Sequence, residues 1–440
     1  MADVDKTIKN ISTDTHSNLE NCSKEEYLKK LHAVINDIKF PDDFDTWTAE
    51  EQCDWKCQVI KEIVPNVPKS LQSMISANFY PIEFHRNQKK LPEWMDIDKF
   101  RRAQKFVSDH YFSIVLNHLL SILRSLTFND GLKAFILGEN VHTPYLAFRR
   151  YLSTMKRMLA WYEGDPWVKG TKAYREIQIT HGKHIAISKK LASMNHEAID
   201  NLKIENPWCP ERELLLKDFA ATCPFEKLDE RLHELIKYFP FRSKSINNAD
   251  MAVIQGTFMI APILYPQNIG LHGITDEDLD AFCHMWRCYG YFLGIEDKYN
   301  FCHGSFEEIK QRTWDLTHSW LIPNFKNIEA NSLHVIRCAI ESINYFPLPY
   351  IPAKTLILLL LEALNLNMPN LYASLSYGEW IAYKIYTFIL RHIMKFSIMR
   401  TFTKQLLVKV FEAASNFGPE MLTELQQKSK QQVPDSFVHF

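Results

Sequence analysis

The chain has 440 residues, 46% of them hydrophobic and 13% aromatic, and its 51 basic and 52 acidic residues leave a net charge of −1. That much apolar material builds a sizeable core, in one large domain or in two to three ordinary ones. The balanced charge leaves no basic field for nucleic acid, and 13 glycines, about half the ordinary usage, argue against a turn-rich all-β protein.

In chain order, residues 1–23 are polar without the apolar run of a signal peptide. They are read as a disordered tail on a protein that is not secreted. Ser23-Lys-Glu-Glu26 and Thr48-Ala-Glu-Glu51 are capping boxes, so each opens a helix, the second stopping before Pro65. Residues 64–97 hold several prolines and read as loop with short helical pieces. From Asp98, apolar residues recur at helical spacing to about Leu126, where Asn129-Asp-Gly131 breaks the pattern. Thr143-Pro144 starts a helix that Gly164-Asp-Pro166 ends, and another spans about Thr171 to Met194.

A loop with Pro207, Pro210 and Pro224 follows, then helices near Lys227 and over Asn248 to Ala261, stopped by Pro262 and Pro266. Thr275-Asp-Glu-Asp278 caps the next. Its acidic run, Asp276 to Asp280, reads as a solvated first turn favoured by the helix dipole rather than as a magnesium site for a diphosphate. Helical patterns continue over about 304–345, 353–366, 377–397, 400–416 and 419–431. No strand-like alternation persists, and no Gly/Ser-rich linker or repeat divides the chain. The expected fold is all-α, a single large helical domain over 24–432 with a short tail at 433–440.

Nine irregularly spaced cysteines with no Cys-x-x-Cys pattern indicate reduced thiols in a cytoplasmic setting. Two stretches are strongly apolar, Leu356 to Leu361 and Trp380 to Met394. Charged residues interrupt both before the roughly 20 residues of a membrane span, so buried core helices are expected. Around 377–397, Trp380, Ile381, Ile385, Phe388, Ile389 and Met394 mix with Lys384, Arg391, His392 and Lys395. Such a mixture also suits peripheral contact with a membrane headgroup layer.

The helix from Thr143 to Glu163 carries the first chemical signal. Tyr145, Phe148, Leu152, Met155, Leu159 and Tyr162 form its core stripe. Beside it, Arg150 and Thr154 lie one turn apart on a half-apolar face, where a cation needs a partner. A structural salt bridge to a carboxylate is the plain expectation. On the following helix, His181 shares an apolar strip with Tyr174, Ile177 and Ile185. A neutral imidazole there is either a hydrogen-bonded core residue or an axial metal ligand. Gly182 would let a flat ring approach, and His184 is a rival ligand. There is no His-Glu-x-x-His zinc pattern, no phosphate-binding glycine loop and no nucleophile elbow.

These residues resemble a known family, that of the rubber oxygenases (latex-clearing proteins) and of the fungal oxygenase MpaB, which cleaves the farnesyl chain of a mycophenolic-acid precursor. The similarity rests on Arg150-Tyr-Leu-Ser-Thr154, then Tyr162-Glu-Gly-Asp-Pro166, then Tyr174-Arg-Glu-Ile-Gln-Ile-Thr-His181. A second block, 250–296, includes Trp286-Arg-Cys-Tyr-Gly290-Tyr-Phe-Leu-Gly294-Ile. The resemblance spans roughly residues 100–400. It implies a globin-like helical core holding haem b, with His181 as axial ligand and Arg150 and Thr154 lining the distal side. It also implies a dioxygen-dependent oxidative cleavage of a C=C bond in an isoprenoid or other apolar small molecule. Arg150 would then stabilise charge developing on the bound oxygen, and Thr154 would orient it. Two features depart from the family pattern: Ser153 stands where latex-clearing proteins have lysine, and their upstream glutamate base has only Glu139 as a poorly aligned counterpart. A haem- or lipid-binding carrier or sensor without catalysis is the alternative. The fungal relatives' membrane anchor is missing from the sequence, so attachment to the endoplasmic reticulum is expected to be peripheral at most.

Overall fold

The structure, a computed structural model, describes residues 40–48, 51–52, 54–56, 58–59, 67–83, 91–223 and 243–433. The expected tail 1–23, the helix after Ser23, the helix near Lys227 and residues 434–440 lie outside them. Among the described residues the protein is all-α, and the only strand-like pairing is an isolated bridge between Pro81 and Asn247. The helices are α1 (Gln72–Ser76), α2 (Ile97–Asp109), α3 (Tyr111–Ser125), α4 (Asn129–Leu137), α5 (Pro144–Glu163), α6 (Lys172–Ala192), α7 (His196–Asp200), α8 (Arg212–Thr222) and α9 (Asn248–Leu264). They continue as α10 (Asp276–Phe292), α11 (Phe306–Leu316), α12 (Ile322–Lys326), α13 (Ala330–Ser342), α14 (Ala353–Glu362), α15 (Pro369–Ala373), α16 (Tyr377–Arg391), α17 (Ser397–Ser415) and α18 (Pro419–Gln432).

A helix apolar on every side belongs in the core, and α9 takes that place, buried along most of its length and packed by α3, α10 and α11. Pro262 sits inside α9 instead of ending it. Proline has no N–H, so it leaves the Phe258 carbonyl unclaimed one turn back. Asn117 Nδ2 of α3 donates to that oxygen at 2.8 Å and restores the lost bond.

The 286–295 block has structural work of its own. Arg287 forms a two-pronged ion pair with Asp297 (2.8 and 2.6 Å) and lies 4.1 Å from the Trp94 ring centroid. Gly290 admits the Gln255 and Asn300 amides, because a Cβ there would lie 2.6 Å from Asn300 Nδ2 and 2.8 Å from Gln255 Nε2. Those amides hold the turn after α10: Gln255 Oε1 accepts from Phe301 N at 2.9 Å, and Asn300 Nδ2 donates to Arg287 O at 2.9 Å. The acidic first turn of α10 is capped as expected and is also ion-paired, with Asp278 accepting from Arg102 Nε and Asp276 from Lys310 Nζ, both at 2.9 Å.

A deeper ionic group ties α13 to its neighbours. Arg337 donates to Glu211 (3.0 Å) and to Glu341 (2.7 Å), and all three side chains are buried. Gln432 of α18 donates to the other Glu341 oxygen at 2.7 Å. Cys209, Cys223, Cys283, Cys288, Cys302 and Cys338 are free thiols, all but Cys209 buried.

The two apolar stretches part company. Leu356, Ile357, Leu358, Leu360 and Leu361 are buried in α14, as expected. On α16 only Tyr383 and Leu390 are buried, while Trp380, Ile381, Ile385 and Phe388 are exposed. Among the described residues that helix rests on α14, on the turn at Pro266–Ile269 and on the turn at Ile393–Lys395, and much of the rest of its surface is exposed. Among the described residues, no helix is long and apolar enough to cross a membrane.

Candidate functional site

Arg150 and Thr154 stand on α5, His181 and His184 on α6, and the two helices fold back to pack side by side. Each start is fixed by a cap: Thr143 Oγ1 accepts from Leu146 N (3.3 Å), and Thr171 Oγ1 from Tyr174 N (3.1 Å). The Gly164-Asp-Pro166 turn between them is pinned from α2, where both Asp165 oxygens accept from Arg101 and Gly164 O accepts from Gln104 Nε2 at 3.0 Å. A Cβ at Gly164 would approach Ala173 Cβ to 3.0 Å, so the glycine lets α6 begin close to the end of α5. Both the caps and the acidic turn therefore serve to position the seam.

The buried stripe of α6 is Ala173, Ile177, His181, Ser188 and Leu191, with His181 only 6% exposed. His184, one turn further on, is half-buried. Burial first, then His181 and Arg150, hold its imidazole down to about 4, so it is neutral near pH 7. Its Nδ1 has no hydrogen-bond partner among the described residues. Gly182 is exposed with open space around it, so no neighbouring protein atom requires the missing side chain.

Arg150 is the unexpected member. Its guanidinium lies 4.2 Å from the Phe135 ring centroid of α4 and beside Gly138. Burial holds it below the ordinary arginine range, and no carboxylate meets it among the described residues. Among the described residues the expected structural salt bridge is not there. A cation–π contact recovers only about 1–2 kcal/mol, while desolvating a cation costs on the order of several kcal/mol. Arg157, two turns along, does have partners: Glu176 Oε2 across the seam at 3.4 Å and Ser153 Oγ on its own helix. Ser153 is thereby occupied. The ammonium of Lys183 is also held below its usual range, by burial and then by Arg157 and Arg150.

Thr154 is half-buried one turn along α5 from Arg150. Glu139 sits apart, exposed at the left-handed turn between α4 and α5 (φ 53°), where its charge acts on His142. Sequence reasoning missed Phe135 and Lys183. The signal for Phe135 lay in the segment after Asn129, read as a break but folded as α4.

The seam thus gathers the His181 imidazole, the neutral His184 imidazole and several cations around a half-buried guanidinium that no carboxylate meets among the described residues. A neutral imidazole on a dry helical face suits an axial haem ligand, and unpaired guanidinium and ammonium groups suit a macrocycle that carries two carboxylates. Among the described residues no three His, Cys, Asp or Glu side chains cluster as metal ligands, so His181 and His184 lack the third protein ligand of a zinc site. Two cavities, of about 40 and 410 Å³, lie elsewhere and are lined by other residues. Searches of family models, curated proteins and solved structures return no match to this chain.

Proposed function

We propose that the chain is a haem b-dependent oxygenase that cleaves a carbon–carbon double bond of an isoprenoid or similarly apolar substrate, with His181 as axial ligand and His184 as its rival. The observation that carries this reading is the Arg150 guanidinium, half-buried over Phe135 with no carboxylate beside it among the described residues. A fold gains nothing from such a cation unless an anion or developing negative charge arrives beside it. Haem, when bound, supplies the dioxygen chemistry in which both oxygen atoms end in carbonyl products. The chain's own residues do the remainder. His181 offers a ring nitrogen from a buried stripe, Arg150 offers N–H donors, and Thr154 offers a hydroxyl one turn away to orient the oxygen-bearing partner. The globin-like arrangement of the helices belongs to the same proposal, as does a cytoplasmic location with peripheral attachment to the endoplasmic reticulum.

One observation favours the alternative, a haem- or lipid-binding carrier: the hydroxyl of Ser153, at the family's lysine position, is taken by Arg157. Oxygen uptake with a panel of polyprenoid and terpenoid substrates separates the two, since a carrier consumes none. The haem assignment is tested by absorption spectroscopy of the purified, haem-supplemented protein. We expect a Soret band in the wild type that is lost or displaced in His181→Ala. A wild type without the band, or an unchanged band in both His181→Ala and His184→Ala, would remove the proposal.

A further inference from the structure

The exposed stretch that begins on α16 carries a binding surface independent of whatever the α5–α6 seam holds. Exposed bulky side chains follow one another through the end of α16, the turn at Ile393–Lys395 and the start of α17: Ile385 (52% exposed), Phe388 (56%), Phe396 (59%), Ile398 (76%) and Phe402 (58%). Five large apolar groups left in water along one ordered segment signal an interaction surface rather than scattered exposure.

The charge pattern says what that surface meets. Residues 380–411 contain Lys384, Arg391, Lys395, Arg400, Lys404 and Lys409 and not one Asp or Glu. No ion pair neutralises any of the six among the described residues. Arg400 donates to the Met394 carbonyl and Lys404 to Ser108 Oγ, so these two are held in place with their charge intact. A second copy of the chain docking through this face would set cations against cations. A layer of phosphate headgroups over hydrocarbon complements both components at once, the cations meeting phosphate and the aromatic and aliphatic groups entering the acyl boundary. Beside α16 opens the polar cleft of about 410 Å³, lined by Lys384, Arg391, Asn268, Asn365 and Glu362. The Glu362 carboxylate accepts from Tyr383 and keeps its charge, so the cleft sets two cations against one carboxylate and keeps a net positive balance for a phosphate.

We propose that α16, α17 and the turn between them dock on the surface of an anionic phospholipid bilayer, with Ile385, Phe388, Phe396, Ile398 and Phe402 inserted and the cleft at Lys384 and Arg391 receiving one headgroup. An apolar substrate is then taken from the bilayer rather than from water.

Flotation of the full chain with phosphatidylcholine vesicles, with and without phosphatidylserine, tests this. Binding is expected to the phosphatidylserine vesicles, weakened by salt but not abolished. Phe388→Glu with Phe402→Glu should lower the partition coefficient about tenfold or more, since it removes apolar insertion and adds repulsion. Lys384→Ala with Arg391→Ala should lower it by a similar factor on phosphatidylserine vesicles alone. Tyr350→Glu, at an exposed aromatic (68%) on another segment, should bind as the wild type does. Far-ultraviolet circular dichroism confirms that each variant is folded. No binding by the wild type overturns the proposal, as does binding indifferent to the Phe388/Phe402 pair. A dimer in sizing experiments that this pair converts to monomer would assign the face to self-association and overturn it equally.

Discussion

Arg337→Ala is expected to destabilise the protein by about 3–5 kcal/mol, the usual result of removing one partner from a buried ionic group. The arginine stands between two carboxylates, Glu211 at 3.0 Å and Glu341 at 2.7 Å, and its guanidinium also covers the Trp208 ring at 4.7 Å. Truncation leaves two negative charges facing each other in a dry pocket and opens a void over the indole. The carboxylates raise the arginine's affinity for its proton above normal despite burial, so Arg337 stays charged across the accessible pH range. Thermal and urea unfolding would read the loss directly. Adding Glu211→Gln and Glu341→Gln to the alanine variant should restore part of it by removing the uncompensated charge. A loss below about 1 kcal/mol would place the triad in the class of solvent-screened surface pairs and refute its burial.

The second large effect is on turnover. Under the oxygenase proposal, Arg150→Ala should retain haem and lose about 10²–10³ in rate, the ordinary consequence of deleting a fixed donor aimed at developing charge. Stability should move the other way. Arg150→Met replaces an unmatched cation over Phe135 by an apolar chain of similar length, so the haem-free protein should melt at a higher temperature than the wild type. A residue that costs stability and supports rate is what a functional site looks like. Full activity in Arg150→Ala would end its proposed role. A lower melting temperature in Arg150→Met would instead show that the guanidinium has a stabilising partner.

Helix starts were the most legible part of the sequence because a cap is local chemistry. Thr143, Thr171, Thr275 and Ser376 each accept the backbone N–H three residues on. Helix ends and breaks were harder, because tertiary contacts decide them. The pattern from Asp98 to Leu126 reads as one helix but divides at His110 into α2 and α3. Asn129-Asp-Gly131 looks like a breaker and opens α4, since Asn and Asp suit a first turn as well as a loop. The prolines around 207–224 hid α8, and Pro262 looked like a terminus because Asn117 is 145 positions away in sequence. At the site, the residue types on α5 and α6 were legible from spacing. That Arg150 has no carboxylate among the described residues was not, because the absence of a partner is a property of the whole fold. Burial of α16 was misjudged for a similar reason: composition gives a helix's apolar content but not how many of its faces find a neighbour.

The buried thiols give the folded chain a chemical clock. Burial pushes Cys209 and Cys223 up to about 12 and holds Cys283, Cys288 and Cys338 well above the ordinary thiol range. The reactive species toward an alkylating or oxidising reagent is the thiolate, so these sulfurs are silent while the helices stay closed. Their modification, followed site by site by mass spectrometry, would time the opening of each region. Cys338 reports on α13 beside the Arg337 triad, Cys283 and Cys288 on α10, and Cys223 on the end of α8. Because no bridge links these thiols, a reducing environment breaks no cross-link among them, whereas oxidation of the buried ones has to wait for a helix to part.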